Sequence, residues 1–335
     1  MSELNKIALK IVSSGKGILA ADESTATMTK RLESVNVKSN EENRLKFRSA
    51  LFTSKSMSSC IGGVILYDET IKQSYNAKSI PELISETGAV PGIKVDTGAK
   101  KLARSIDEKI TEGLDGLRER LKNYYDLGAR FTKWRAVYLI SEKFPSKLAI
   151  NVNAHALARY ASLVQEASMV PIVEPEVIMD GNHSAQDCFN KTSEVIKKCF
   201  DELIFQKVDL KGVLLKPNMI LPGSKSNQKI TSDEIAELTI KCLINSVPSE
   251  VPGIAFLSGG QSELEATENL NTINKHNKSK FVMTYSYGRA LQQSALKHWS
   301  KDIKDIEGTQ KIFDHRANMC SLASMGKWVE EVDKD

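Results

Sequence analysis

Short runs rich in Val, Ile, Leu and Ala recur eight times along the chain, at 17–24, 62–70, 90–96, 129–138, 169–177, 212–219, 253–260 and 281–288. Runs of this length with little polar alternation predict strands buried on both faces. Most are followed by longer stretches with apolar residues at threes and fours. Ala154, Leu157, Ala158 and Ala161 after Asn153 are one example, and the spacing predicts core-facing amphipathic helices. Strand and helix in alternation imply a parallel sheet with right-handed crossovers. Eight such units predict an α/β fold in which the sheet closes into a (β/α)8 TIM barrel. The competing arrangement, an open doubly wound sheet, carries its Gly-rich turn after the first strand; here Gly15-Lys16-Gly17-Ile18 precedes it.

A barrel needs roughly 250 residues, so a chain of 335 leaves room at both ends. The expectation is a single domain over 1–335. It comprises a helix over 3–14, a barrel from about 15 to 298, and a C-terminal extension over 299–335 made of a helix or two and a mobile tail. The interleaved Glu3, Lys6 and Lys10 break up the apolar core that a signal peptide would need, and no stretch is long enough to span a membrane.

Composition narrows the chemistry. With 41% hydrophobic and 26% charged residues the chain can bury a large core. Its five cysteines, Cys60, Cys188, Cys199, Cys242 and Cys320, form an odd set without a CxxC pair, which points to a reducing, cytoplasmic setting and away from a disulfide framework or zinc ribbon. A net charge of +4 with scattered basic residues argues against nucleic acid and leaves a small anionic substrate fully compatible. The histidines, His155, His183, His276, His298 and His315, show no HxH or HExxH spacing, so no metal site is expected; His183 in Asp180-Gly181-Asn182-His183 reads as a turn.

Active sites of this architecture sit at the carboxyl ends of the strands, and seven of the runs place polar residues there: Asp22; Lys94 and Asp96; Lys133 and Arg135; Glu174 and Glu176; Lys216; Ser258; Arg289. Singly, each reads as a surface charge at a strand terminus. Together they would converge on one mouth. A free lysine is almost wholly protonated at neutral pH, and neighbouring cations with partial desolvation favour the neutral, nucleophilic amine. Lys216 in Leu214-Leu215-Lys216-Pro217 has the apolar setting, with Lys133 facing the same centre. The alternative is a structural lysine paired with Glu174.

Two segments read as anion sites. Ser258-Gly259-Gly260-Gln261-Ser262 is expected to offer backbone N–H groups at the N-terminus of the helix after the seventh strand, with Ser286, Gly288 and Arg289 beside it at the end of the eighth. At the first strand, Ser24, Thr27 and Arg31 form a second cluster, in which Ser24 and Thr27 also read as helix caps.

With these residues in place, the sequence resembles class I fructose-bisphosphate aldolase over nearly its whole length. The resemblance rests on Ala21-Asp22-Glu23-Ser24-Thr25, Gly92-Ile93-Lys94-Val95-Asp96, Lys133-Trp134-Arg135, Val170-Pro171-Ile172-Val173-Glu174-Pro175-Glu176, Leu214-Leu215-Lys216-Pro217-Asn218-Met219, Ser258-Gly259-Gly260 and Ser286-Tyr287-Gly288-Arg289-Ala290-Leu291. It implies a cofactor-independent enzyme that cleaves fructose 1,6-bisphosphate reversibly to dihydroxyacetone phosphate and glyceraldehyde 3-phosphate through a lysine Schiff base. Lys216 is then the Schiff-base lysine, Glu174 the acid for carbinolamine dehydration, Asp22 the acid/base group near the C4 hydroxyl and Lys133 an electrostatic partner. Ser258, Gly259, Gly288 and Arg289 fall at the 1-phosphate, Ser24, Thr27, Arg31, Lys94 and Arg135 around the 6-phosphate end and the open chain, and Gly260, Ser286 and Glu176 are further substrate- or phosphate-binding residues. The resemblance also implies a homotetramer. The sequence departs from the family at Thr97, where a lysine is usual, at Thr27, and in its last residues, which lack the tyrosine that assists enamine protonation in animal members. That step is left unassigned. Competing expectations are another Schiff-base lyase of this fold, acting on fructose 1-phosphate or as a transaldolase, and a barrel scaffold with an additional binding role.

Overall fold

A computed structural model of the chain describes residues 1–333; Lys334 and Asp335, in the expected tail, lie outside the described residues. Eight parallel strands close on themselves: β1 (Gly17–Ala21), β2 (Ile61–Leu66), β3 (Val90–Lys94), β4 (Phe131–Tyr138), β5 (Val170–Val177), β6 (Leu214–Leu215), β7 (Gly253–Phe256) and β8 (Val282–Tyr287). Each pairs with its neighbours in sequence, and β1 closes the barrel on β8 through Ile18↔Ser286 and Leu19↔Tyr287. All eight expected runs are barrel strands, and the fold is a (β/α)8 barrel. The second run overshoots: Asp68–Ile71 is a short helix, with acidic residues in its first turn where the helix dipole favours them. In the sixth run Gly212 belongs to a 3-10 turn, Leu210–Gly212, and the ladder is short because Pro217 has no N–H to give.

Helices wrap the outside. Lys147–Glu166 and Ala185–Phe205 follow β4 and β5, each with a serine N-cap, and Glu263–His276 follows β7. An antiparallel hairpin, Gly98–Lys101 with Lys109–Glu112, was not legible from the pattern of apolar runs. At the amino end of the barrel, helix Glu3–Ile11 packs Ala8 and Ile11 against the interior residues Ile18, Ile65, Val90, Phe131 and Val170. Its seating needs Gly62, since a Cβ there would lie 2.0 Å from the Ile11 carbonyl oxygen. The barrel is thus plugged with apolar side chains at its base and open at the ends of its strands.

After β8 come Arg289–Trp299 and Ile306–Ser324. Within the C-terminal extension, the 3-10 turn Glu330–Asp333 is tied back to the second of these: Asp333 accepts from both Arg316 Nη atoms at 2.8 and 2.7 Å and from Trp328 Nε1 at 2.9 Å. Among the described residues no helix is long and apolar enough to cross a membrane.

Candidate active site

Strand residues two apart face the same way, and this periodicity builds the site. Ala20, Phe131, Ile172 and Leu214 line the barrel interior; two residues on from each stand Asp22, Lys133, Glu174 and Lys216. Each inward row begins apolar and ends charged. The register sets Lys94 beside Lys133 and Lys133 beside Ile172. Lys216 is fixed at the end of its strand by its own N–H, which donates to Val173 O at 2.9 Å, and Pro217 O accepts from Leu257 N at 3.0 Å.

The charged ends form one cluster. Glu174 is shared between two lysines: Oε1 lies 3.2 Å from Lys216 Nζ and Oε2 lies 3.2 Å from Lys133 Nζ. Lys133 Nζ is also 2.7 Å from Asp22 Oδ2. Lys133, Glu174 and Lys216 are at most 4% exposed. Burial alone would push the Asp22 carboxyl up; Lys133 and Lys216 outweigh it and hold the pKa at about 2. Glu174 behaves likewise, with burial opposed and overcome by Lys133, Lys216 and Arg135, so it too lies below its ordinary value. Burial disfavours the Lys133 ammonium, but Asp22, Glu174 and Asp96 raise its pKa above the usual lysine value. Lys133 is therefore a fixed positive charge.

A second layer sits above. Arg135 Nε pairs with Glu176 Oε2. Lys94 Nζ reaches Asp96 Oδ1 at 2.8 Å, and the other Asp96 oxygen accepts from Arg135 N at 3.3 Å. Over the whole cluster opens a cleft of about 720 Å³.

Of the site residues expected from sequence, all line this cleft except Gly260, which has φ +79 and lines a neighbouring groove beside Met179. A second correction concerns the helix expected to present its N-terminus after the seventh strand. Glu263–His276 starts beyond Gly260 and is already satisfied by a capping box between Ser262 and Glu265. The open terminus is that of Arg289–Trp299, whose N-cap Gly288 supplies no side-chain cap. Beside it Ser286 Oγ is buried without a partner, a hydroxyl free to bind an oxyanion. At the first strand Ser24 does cap Thr25–Glu33, accepting from Thr27 N at 3.3 Å. Arg31 stands in the same place with Nε and Nη2 buried and unpartnered. Two parts of the cleft lining thus carry buried polar groups without a protein partner.

Several residues in this arrangement escaped the sequence. Asp96 ended a strand but received no role. Glu23 and Gln292, which contact Arg31, and Arg48, which holds Glu23, carried no signal except Glu23's adjacency to Asp22.

The family model described as fructose-bisphosphate aldolase class-I matches residues 3–335. A probable fructose-bisphosphate aldolase class 1 from Xylella fastidiosa is 47% identical over 330 residues, covering 98% of this chain and 99% of that protein. Fructose-bisphosphate aldolase 4, cytosolic, from Arabidopsis thaliana is 48% identical over 326 residues, covering 97% and 83%. Among solved structures, fructose-bisphosphate aldolase from Plasmodium falciparum, in complex with TRAP and a small-molecule inhibitor, superposes with a TM-score of 0.95 at 43% identity, covering 98% of this chain and 95% of that one.

Proposed function

The chain belongs to the class I fructose-bisphosphate aldolase family, and from that premise we propose that Lys216 is its Schiff-base lysine and that Glu174, Lys133 and Asp22 carry the remaining charge and proton traffic. The protein is a fructose-bisphosphate aldolase of the lysine Schiff-base class. The observation that carries the residue assignment is Glu174 held between two buried lysines.

Lys216 Nζ attacks the C2 ketone after giving a proton to the adjacent Glu174 carboxylate. Glu174 returns a proton to the carbinolamine hydroxyl, water leaves, and an iminium remains. That cation draws the electrons of the C3–C4 bond. Asp22, ionised well into acid, takes the C4 hydroxyl proton as the bond breaks and the aldehyde forms. Lys133, which stays charged, stabilises both carboxylates and the developing oxyanion. The remaining enamine is protonated and hydrolysed to release dihydroxyacetone phosphate.

The 1-phosphate goes to Ser258, Gly259, Ser286, Gly288 and Arg289, supported by the unpaired Ser286 hydroxyl and the uncapped helix terminus. The 6-phosphate end goes to Ser24, Thr27 and Arg31, supported by Arg31's unpartnered donors; Lys94, Arg135 and Glu176 lie along the chain between. The proposal extends to a cytoplasmic setting, supported by plant relatives named cytosolic, and to a homotetramer, supported by the family resemblance. Steady-state cleavage of fructose 1,6-bisphosphate by wild type and Lys216→Met tests the assignment: the variant should lose at least about 10⁴-fold in kcat, and turnover within tenfold of wild type would overturn it. Comparing fructose 1-phosphate as substrate separates a bisphosphate enzyme from a monophosphate one.

A further inference from the structure

Arg31 is gripped from behind. Its Nη1 donates to Glu23 Oε1 and faces Gln292 Oε1 at 3.4 Å, while Nε and Nη2 are left without partners. Glu23 is itself held: Arg48 Nη2 donates to the Glu23 backbone carbonyl at 2.8 Å and lies 3.7 Å from Oε2. Arg48 Nη1 donates to Thr70 Oγ1 at 2.7 Å, so one guanidinium ties the turn after β1 to the short helix Asp68–Ile71 that follows β2. Further out, Glu69 lies 3.8 Å from Arg48 and accepts from Arg44 Nε at 2.9 Å. Charges alternate from helix Glu41–Phe52 to the cleft in the order Arg44, Glu69, Arg48, Glu23, Arg31. Three guanidiniums against two carboxylates leave one net positive charge, and the end of the row that faces the cleft is Arg31.

Gln292 closes the grip from the other side. It is 1% exposed, donates to Ala20 O at 2.8 Å, and sits in the first turn of the helix that follows Gly288 and Arg289. One side chain therefore touches β1, Arg31 and the element bearing the other anion site.

A guanidinium as buried as Arg48 is costly wherever an apolar side chain would pack instead, and long arginine side chains lose much rotamer freedom when a ligand has to order them. A pre-set Arg31 avoids that loss, and a planar fork discriminates by geometry. We infer that Arg48 and Gln292 are positioning residues that hold Arg31, one through Glu23 and one directly, with its free donors toward the cleft, and that this grip sets the preference for a substrate bearing a second phosphate. The inference rests on the reading of Arg31 as a ligand of that phosphate.

The test measures kcat and KM for fructose 1,6-bisphosphate and fructose 1-phosphate in wild type, Arg31→Leu, Arg48→Lys, Gln292→Leu and the two double variants with Arg31→Leu, with thermal unfolding of each. Lysine keeps the charge of Arg48 but cannot span both the Glu23 carbonyl and Thr70. Each single variant should lower the ratio of kcat/KM for the bisphosphate over the monophosphate by about tenfold, mostly through KM. In the Arg31→Leu background neither second substitution should lower it further. An Arg31→Leu ratio equal to wild type would remove the reading of Arg31 itself. A lowered Arg31→Leu ratio with wild-type ratios in Arg48→Lys and Gln292→Leu, or with additive losses in the double variants, would overturn the positioning role alone. Should Arg48→Lys fail to fold, Gln292→Leu carries the same comparison.

Discussion

Replacing Lys133 by methionine removes the charge that is in ion-pair contact with both Asp22 and Glu174, with little change in length or apolar packing. The structure sets the scale of the effect. Asp22 is held at about 2 against an ordinary 3.8, and at about 1.4 kcal/mol per pKa unit its ionised form is favoured by roughly 2 kcal/mol over the unfolded chain. Burial is the largest single influence on this carboxyl and acts upward; Lys133 is the largest acting downward, ahead of Lys216 and Lys94. With Lys133 gone, the Asp22 pKa should rise by at least about two units, to or above its unfolded value. In wild type the folded pKa lies below the unfolded one, so the stabilisation is fully present above about pH 4 and lost as pH falls toward 2. In the variant that contribution disappears at neutral pH as well. Together with Glu174 losing one of its two lysines, the expected loss is about 3–5 kcal/mol in urea unfolding at pH 7, narrowing as the pH is lowered. Catalysis should fall by about 10²–10³ in kcat, and the acid limb of kcat/KM should move upward into the pH 4–6 range. An unfolding free energy within about 1 kcal/mol of wild type at pH 7, with the acid limb unmoved, would refute the reasoning.

Other perturbations separate the parts of the structure. Glu174→Gln keeps the shape but removes the proposed proton shuttle, and iminium formation followed by rapid quench should slow by about 10²–10⁴; a rate within threefold of wild type would assign dehydration to another group. Gly62→Ala forces a Cβ onto the Ile11 carbonyl and should cost about 1–3 kcal/mol in urea unfolding while kcat is retained, because the base of the barrel lies away from the chemistry; an unchanged midpoint would remove the requirement for glycine. Asp333→Asn should lower unfolding stability by about 1.5–3 kcal/mol. Burial raises the Asp333 pKa, but Arg316, Trp328 and His315 bring it below the ordinary value, so its contribution is present above about pH 4 and fades as the pH falls further. A variant deficit of equal size at pH 7 and pH 3 would contradict this.

The eight strands and the convergent lysines and carboxylates were legible because one periodicity writes both. A strand buried on two faces needs an unbroken apolar run, and the next inward position after its last apolar residue is the mouth, so Asp22, Lys133, Glu174 and Lys216 each mark the end of a row. Strand lengths were less legible, as at Asp68–Ile71, where a helix begins inside an apolar run. The free helix N-terminus was expected after β7 because a Gly-Gly turn and a helix start are both visible there, whereas the capping box that satisfies that helix depends on Ser262 and Glu265 meeting in space. Arg48 and Gln292 were invisible for a related reason. In Glu41–Phe52 the arginine looks like any solvated charge, and only the closure of β1 against β2 and β8 brings Glu23, Thr70 and Ala20 to the two side chains.

The central claim is that Lys216 forms the covalent bond to substrate. Reduction with borohydride in the presence of dihydroxyacetone phosphate, followed by peptide mass spectrometry, tests it most directly. The account predicts one stable adduct, on the peptide containing Lys216, which disappears in Lys216→Met and forms more slowly in Glu174→Gln. An adduct on Lys133, Lys94 or any other lysine, or inactivation without an adduct, would contradict it.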